Sequence, residues 1–197
     1  MENKIGSYFQ WKTDPKKMSI EEKYRDHKII NQWEKTDVLY SLIGIYQIGI
    51  YVFYPDKCVK KDYTIKNEIG EFFGLDYLAK EFIKYEKLNK EIIDSKFIQY
   101  IDSVGNIIPI WPGGNIDKGT RSYCFDIPEI YFKKNEKWFL KLKELYPNSC
   151  LSGIIDSEFS KNDAKDFLNN MNESTYPKFL NHVVEIITKR EKYLNSL

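Results

Sequence analysis

The most apolar stretch of this sequence, VLYSLIGIYQIGIYVFY at residues 38–54, decides how the chain folds. It is rich in tyrosine and β-branched residues, and Gly44 and Gly49 interrupt it. This composition favours β-strands, and a hairpin that turns near Gln47, with the glycines as bulges or turn points, is the simplest arrangement. The stretch is also too short for a comfortable membrane span. We therefore predict a small, buried antiparallel sheet here and no membrane anchor.

Helical patterns flank this stretch on both sides. Ser19 and Glu22 form a capping box for a helix over residues 20–34. Residues 69–88 are helical in composition, and the cleanest periodicity follows a cap at Asn89. Four apolar residues then recur at steps of four, three and four, as one face of an α-helix requires: Ile93, Phe97, Tyr100 and Val104. Gly105 stands where a helix ends with a left-handed residue.

A further helix is predicted over residues 127–146. Its apolar stripe is interrupted near Asn135, which predicts a kink or two shorter helices. Asp126 is expected to cap its first turn, because Pro128 and Glu129 follow it at the spacing typical of helix starts.

The last helix begins near residues 175–177 and runs to the end of the sequence. Arg190 lies beside its apolar stripe, and we expect it to snorkel at the core edge rather than to pair with a buried carboxylate. His182 flanks the same stripe without a recognisable partner. His27, in the first helix, is interpreted as a core-edge histidine rather than a catalytic base. Together these patterns predict a helix-dominated α+β fold with a small antiparallel sheet, in a single domain over residues 1–197.

Charge and cysteine usage limit the classes of function. Lys and Arg number 30 against 29 Asp and Glu, a net charge of +1, so nucleic-acid binding by a general basic surface is not expected. Three widely spaced cysteines, Cys58, Cys124 and Cys150, argue against a disulfide framework and fit a reducing cytosol. They form no CxxC pair, and we expect no metal and no other cofactor. The start, MENKIGSYFQWK, lacks the pattern of a signal peptide, so we predict a cytoplasmic protein.

The predicted functional site lies in VGNIIPIWPGGNIDKGTRSYCFD, residues 104–126. A strong turn signal at Pro112 to Asn115 doubles the chain back. We predict that the segment presents six binding residues on one exposed surface: Asn106, Trp111, Gly113, Gly114, Asn115 and Arg121. An ion pair of Arg121 with Asp117 or Asp126 is the structural alternative. The glycines do not match the spacing of phosphate-binding or dinucleotide-binding loops.

The runs VGNIIPIWPGGN, FDIPEI and TYPKFLNHVVEIITKREKYL resemble an uncharacterised intracellular protein family of low-GC bacteria, which pairs an IGN-type loop with a WDLTL-like helix start. Here FDIPE stands in place of WDLT, and the resemblance implies no established activity. VGNIIPIWPGGN is also similar to the LGNLxLLxxxxN segment of certain HNH-type nucleases. Asp102 and Ser103 precede the loop in this chain, where no water-activating histidine is recognisable.

Three functions are compatible with these observations. We predict first a non-catalytic module that binds a protein partner through the surface around Trp111, in conflict between bacteria and mobile elements such as phage defence or anti-defence. The alternative is a metal-dependent hydrolase or nuclease in which Asp102, Asp117 and Asp126 hold a divalent cation. A nucleic-acid binder that uses lysines and aromatic stacking is the third.

Overall fold

The computed structural model describes five ranges of the chain: residues 36–59, 64–65, 82–109, 127–145 and 151–196. In these ranges helices dominate, and two short antiparallel strand pairs complete the fold. The predicted helix-dominated α+β class is therefore confirmed. The single domain over residues 1–197 stays a prediction, and the helix expected over residues 20–34 lies outside the described ranges.

The first half of the described chain contains four strands and three helices. In order, its elements are β1 (Thr36–Val38), α1 (Leu42–Phe53), a 3-10 turn (Pro55–Lys57), β2 (Cys58–Val59), β3 (Thr64–Ile65), a 3-10 turn (Phe82–Lys84), α2 (Glu86–Asp94), α3 (Phe97–Tyr100), a 3-10 turn (Val104–Asn106) and β4 (Ile107–Pro109). The second half is helical: α4 (Pro128–Lys134), α5 (Glu136–Leu145), α6 (Ser152–Ile155), α7 (Ala164–Asn169) and α8 (Thr175–Asn195).

Helix α1 occupies the place of the predicted hairpin, so the strand prediction for residues 38–54 is wrong. The Ser41 hydroxyl caps the helix by accepting a hydrogen bond from the main-chain nitrogen of Gly44 at 3.0 Å. Most of the helix is buried. A helix that is apolar on all sides is stable only when protein surrounds it, and it satisfies its own backbone hydrogen bonds there. Burial among other helices therefore overrides the strand preference of the residues.

The predicted antiparallel sheet exists, but other strands form it. β1 pairs with β4, with Thr36 opposite Pro109 and Val38 opposite Ile107. Within the described ranges each strand of this two-stranded sheet has an edge without a partner strand, and such an edge tolerates Pro109. β2 and β3 form a second antiparallel pair.

The helix predicted after Asn89 consists of two helices. α2 and α3 are separated by Lys96, whose φ of 66° lies in the left-handed region. The left-handed residue predicted at Gly105 is wrong, since Gly105 lies inside a 3-10 turn. The predicted break at Asn135 is confirmed, because this residue separates α4 from α5. Ile127 occupies the N-cap of α4, one residue after the predicted cap at Asp126, which lies outside the described ranges.

One cluster of buried apolar side chains contains residues from each of the eight helices in the described ranges. The long helix α8 contributes the side predicted from its periodicity: Phe179, Val183, Ile186 and Ile187, together with Tyr176, Leu180 and Leu194. The turn at Val104–Asn106 packs directly on the backbone of this helix. A Cβ atom added to Gly105 would lie 2.1 Å from the carbonyl oxygen of Ile187 and 2.7 Å from the main-chain nitrogen of Glu191. Close approach, and not a special φ angle, requires glycine at this position.

We expect Gly105→Ala to lower the free energy of unfolding by about 2–3 kcal/mol, because the new methyl group overlaps backbone atoms that cannot rotate away. Urea unfolding followed by circular dichroism measures the loss. Gly153→Ala is the matched control, since the nearest atom to its added Cβ is the flexible end of Ile186, 2.9 Å away. Equal unfolding midpoints for the two variants would contradict the packing described here.

Candidate functional site

Tyr40 connects two described parts of the chain, one before residue 110 and one after residue 126. It lies between β1 and α1 and is completely buried. Its main-chain N–H donates to Oδ1 of Asn106 at 2.9 Å, and its carbonyl accepts from Nδ2 of Asn106 at 3.1 Å. Its hydroxyl donates to Oε1 of Glu129 at 2.7 Å. Asn106 belongs to the first part and Glu129 to the second, and we call these three residues the Tyr40 clamp.

The Asn106 side chain is fully used inside the protein. Besides its two bonds to Tyr40, Nδ2 donates to the carbonyl oxygen of Ile101 at 2.8 Å, and the Asn106 carbonyl accepts from the main-chain nitrogen of Leu39 at 2.7 Å. The residue is 0% exposed. Asn106 therefore does not lie on the exposed binding surface predicted from the sequence. Its amide carries both a donor and an acceptor, which match the two main-chain groups of Tyr40.

Arg190, on helix α8, binds the described residues that precede position 110. Its Nε donates to the carbonyl oxygen of Gly105 at 2.9 Å, and its Nη2 donates to that of Ile107 at 2.8 Å. Only 2% of the residue is exposed, so the predicted snorkelling at the core edge is wrong. A buried guanidinium group is tolerated because these main-chain carbonyls accept its hydrogen bonds.

Glu129, which follows position 126, contributes a buried carboxylate to the clamp. It lies in the first turn of α4 and is 0% exposed. In addition to the Tyr40 hydroxyl, Oε1 contacts Nε2 of His182 on α8 at 3.0 Å. Oε2 is buried and has no hydrogen-bond partner within the described part of the chain. The main-chain carbonyl of Glu129 accepts from the backbone nitrogen of Lys161 at 3.3 Å and from the Ser160 hydroxyl at 3.4 Å.

His182 connects this buried carboxylate to the edge of the protein. Its side chain is 15% exposed, whereas that of Glu129 is not exposed at all. The Phe159 ring lies beside the imidazole, with ring centroids 5.3 Å apart. Burial raises the pKa of Tyr40 well above its usual range, and the adjacent Glu129 carboxylate raises it further, while Arg190 acts in the opposite direction. The Tyr40 hydroxyl therefore keeps its proton and remains a donor.

The remaining predicted site residues lie outside the described ranges: Trp111, Gly113, Gly114, Asn115 and Arg121. Two of the three carboxylates of the alternative metal site, Asp117 and Asp126, lie outside them as well, and Asp102 is half-buried after α3. Within the described ranges, no group of three or more His, Cys, Asp or Glu residues could hold a metal ion. The binding surface and the alternative metal site both stay predictions.

Sequence reasoning missed the cluster of Tyr40, Glu129 and His182. The sequence patterns place Tyr40 in a strand, Glu129 in the first turn of a helix capped by Asp126, and His182 beside an apolar stripe without a partner. One signal was available, because Glu129 is the only charged residue in the apolar run IPEIYF at residues 127–132. When such a run is buried, its carboxylate must accept hydrogen bonds from other groups, because burying an unpaired charge is costly.

No protein-family model, curated protein or solved structure matches this chain. The resemblance to a family of low-GC bacteria therefore stays a prediction. Among the helices of the described ranges, none combines the length and the apolar character that a membrane crossing requires.

We expect Asn106→Ala to lower the free energy of unfolding by about 3 kcal/mol, because it leaves buried main-chain groups of Tyr40 and Ile101 without partners. Urea unfolding provides the measurement. Asn170→Ala is a suitable control, since the Asn170 side chain makes a single exposed hydrogen bond to the carbonyl of Asp166. A loss for Asn106→Ala no larger than for this control would show that the clamp contributes nothing to stability.

The stability of the protein should fall as the pH rises above about 10. Burial raises the pKa of Tyr40, Tyr46 and Tyr176, whereas in the unfolded chain tyrosine loses its proton near pH 10. Above this pH the unfolded state binds fewer protons than the folded state, so the free energy of unfolding, which is unaffected below this pH, decreases. The folding equilibrium constant falls by up to about tenfold per pH unit for each of these tyrosines.

Urea unfolding at a series of pH values between about 9 and 11 measures this slope. In Tyr40→Phe the dependence of the unfolding free energy on pH should correspond to about one proton fewer released on unfolding. The variant lacks one tyrosine that ionises only when the chain unfolds. Parallel slopes for the two proteins would contradict the expectation.

Proposed function

We propose that this protein is a non-catalytic protein-binding module of the cytoplasm, acting in the conflict between bacteria and mobile elements. Its binding surface is the segment 110–126, with Trp111 and Arg121 as the main contacts. The observation that supports the proposal is the Tyr40 clamp, which fixes the chain immediately before and after this segment.

Fixing both ends favours binding for an entropic reason. A segment whose flanking residues are held at fixed positions has fewer accessible conformations than a free tail of the same length, so binding through it costs less conformational entropy. Binding residues are commonly placed on connecting segments that a rigid scaffold positions. Here the scaffold consists of the β1–β4 pair on one side and the first turn of α4 on the other.

The residue types of the segment favour a protein as the partner. Trp and Arg are enriched among the residues that contribute most to protein–protein binding, since each combines a large contact area with hydrogen-bond donors. The chain as a whole has a net charge of +1, which provides no general attraction for nucleic acid. A contact area with one indole and one guanidinium group fits a partner that offers an apolar pocket beside a carboxylate.

The experiment begins with recovery of the proteins that copurify with the full chain from its native cell. The affinity of the purified partner is then measured for wild type and for Trp111→Ala. We expect a loss of about 30-fold, corresponding to a major interface residue, with the unfolding midpoint unchanged.

Leu140→Ala is the matched control, because Leu140 is a large apolar side chain that is 53% exposed on α5, outside the segment. It should leave the affinity unchanged. A large drop in the stability of Trp111→Ala would place the indole in the core and reject the proposal. Unchanged affinity of a stable Trp111→Ala protein would reject it equally.

A further inference from the structure

We draw no further inference here: the strongest candidate, the buried side-chain cluster of Tyr40, Glu129 and His182 between α4 and α8, belongs to the site already described, and nothing in the described part of the chain shows what it would bind.

Discussion

The structure depends on the hydrogen bonds that Tyr40 makes in two directions. Its main chain binds Asn106, which is 66 positions away in the sequence, and its hydroxyl binds Glu129, which is 89 positions away. Contacts over such separations close long loops, and their entropic cost must be offset by the interactions that they make. Here the contacts are fully buried, where an unpaired polar group is costly, so the alternative arrangements of these three residues are strongly disfavoured.

Helix α8 connects to the same two points from the opposite side. Arg190 donates to the carbonyl oxygens of Gly105, in the 3-10 turn, and of Ile107, at the start of β4. His182, two turns earlier on the helix, contacts Glu129. The absence of a side chain at Gly105 lets the turn approach the helix backbone closely enough for these bonds to form. The start of α4 and the start of β4 are therefore positioned by one helix as well as by Tyr40, which fixes the described residues before 110 and after 126 relative to each other.

Two residues have roles other than those their types suggest in the sequence. Asn106, beside a glycine in a loop rich in turn signals, is typical of a ligand contact, yet its amide binds main-chain groups of Tyr40 and Ile101. Glu129, in the first turn of a helix, is typical of a residue in a capping motif, yet its carboxylate accepts a hydrogen bond from the Tyr40 hydroxyl and contacts His182 on α8. In both cases the side chain is buried. A buried polar group needs hydrogen-bond partners, and here these include residues that are distant in the sequence.

The sequence by itself determined the parts of this protein that depend on neighbours within one or two turns. These are the dominance of helices, the break at Asn135 and the apolar side of α8. Helical periodicity can be recognised from the sequence because it depends on residues three and four positions apart. Tertiary structure alone decided the rest. A run that is apolar on every side, as in α1, has no periodicity that separates helix from strand. The pairing of β1 with β4 and the partners of Glu129 join residues that only the folded chain brings together, so no local pattern encodes them.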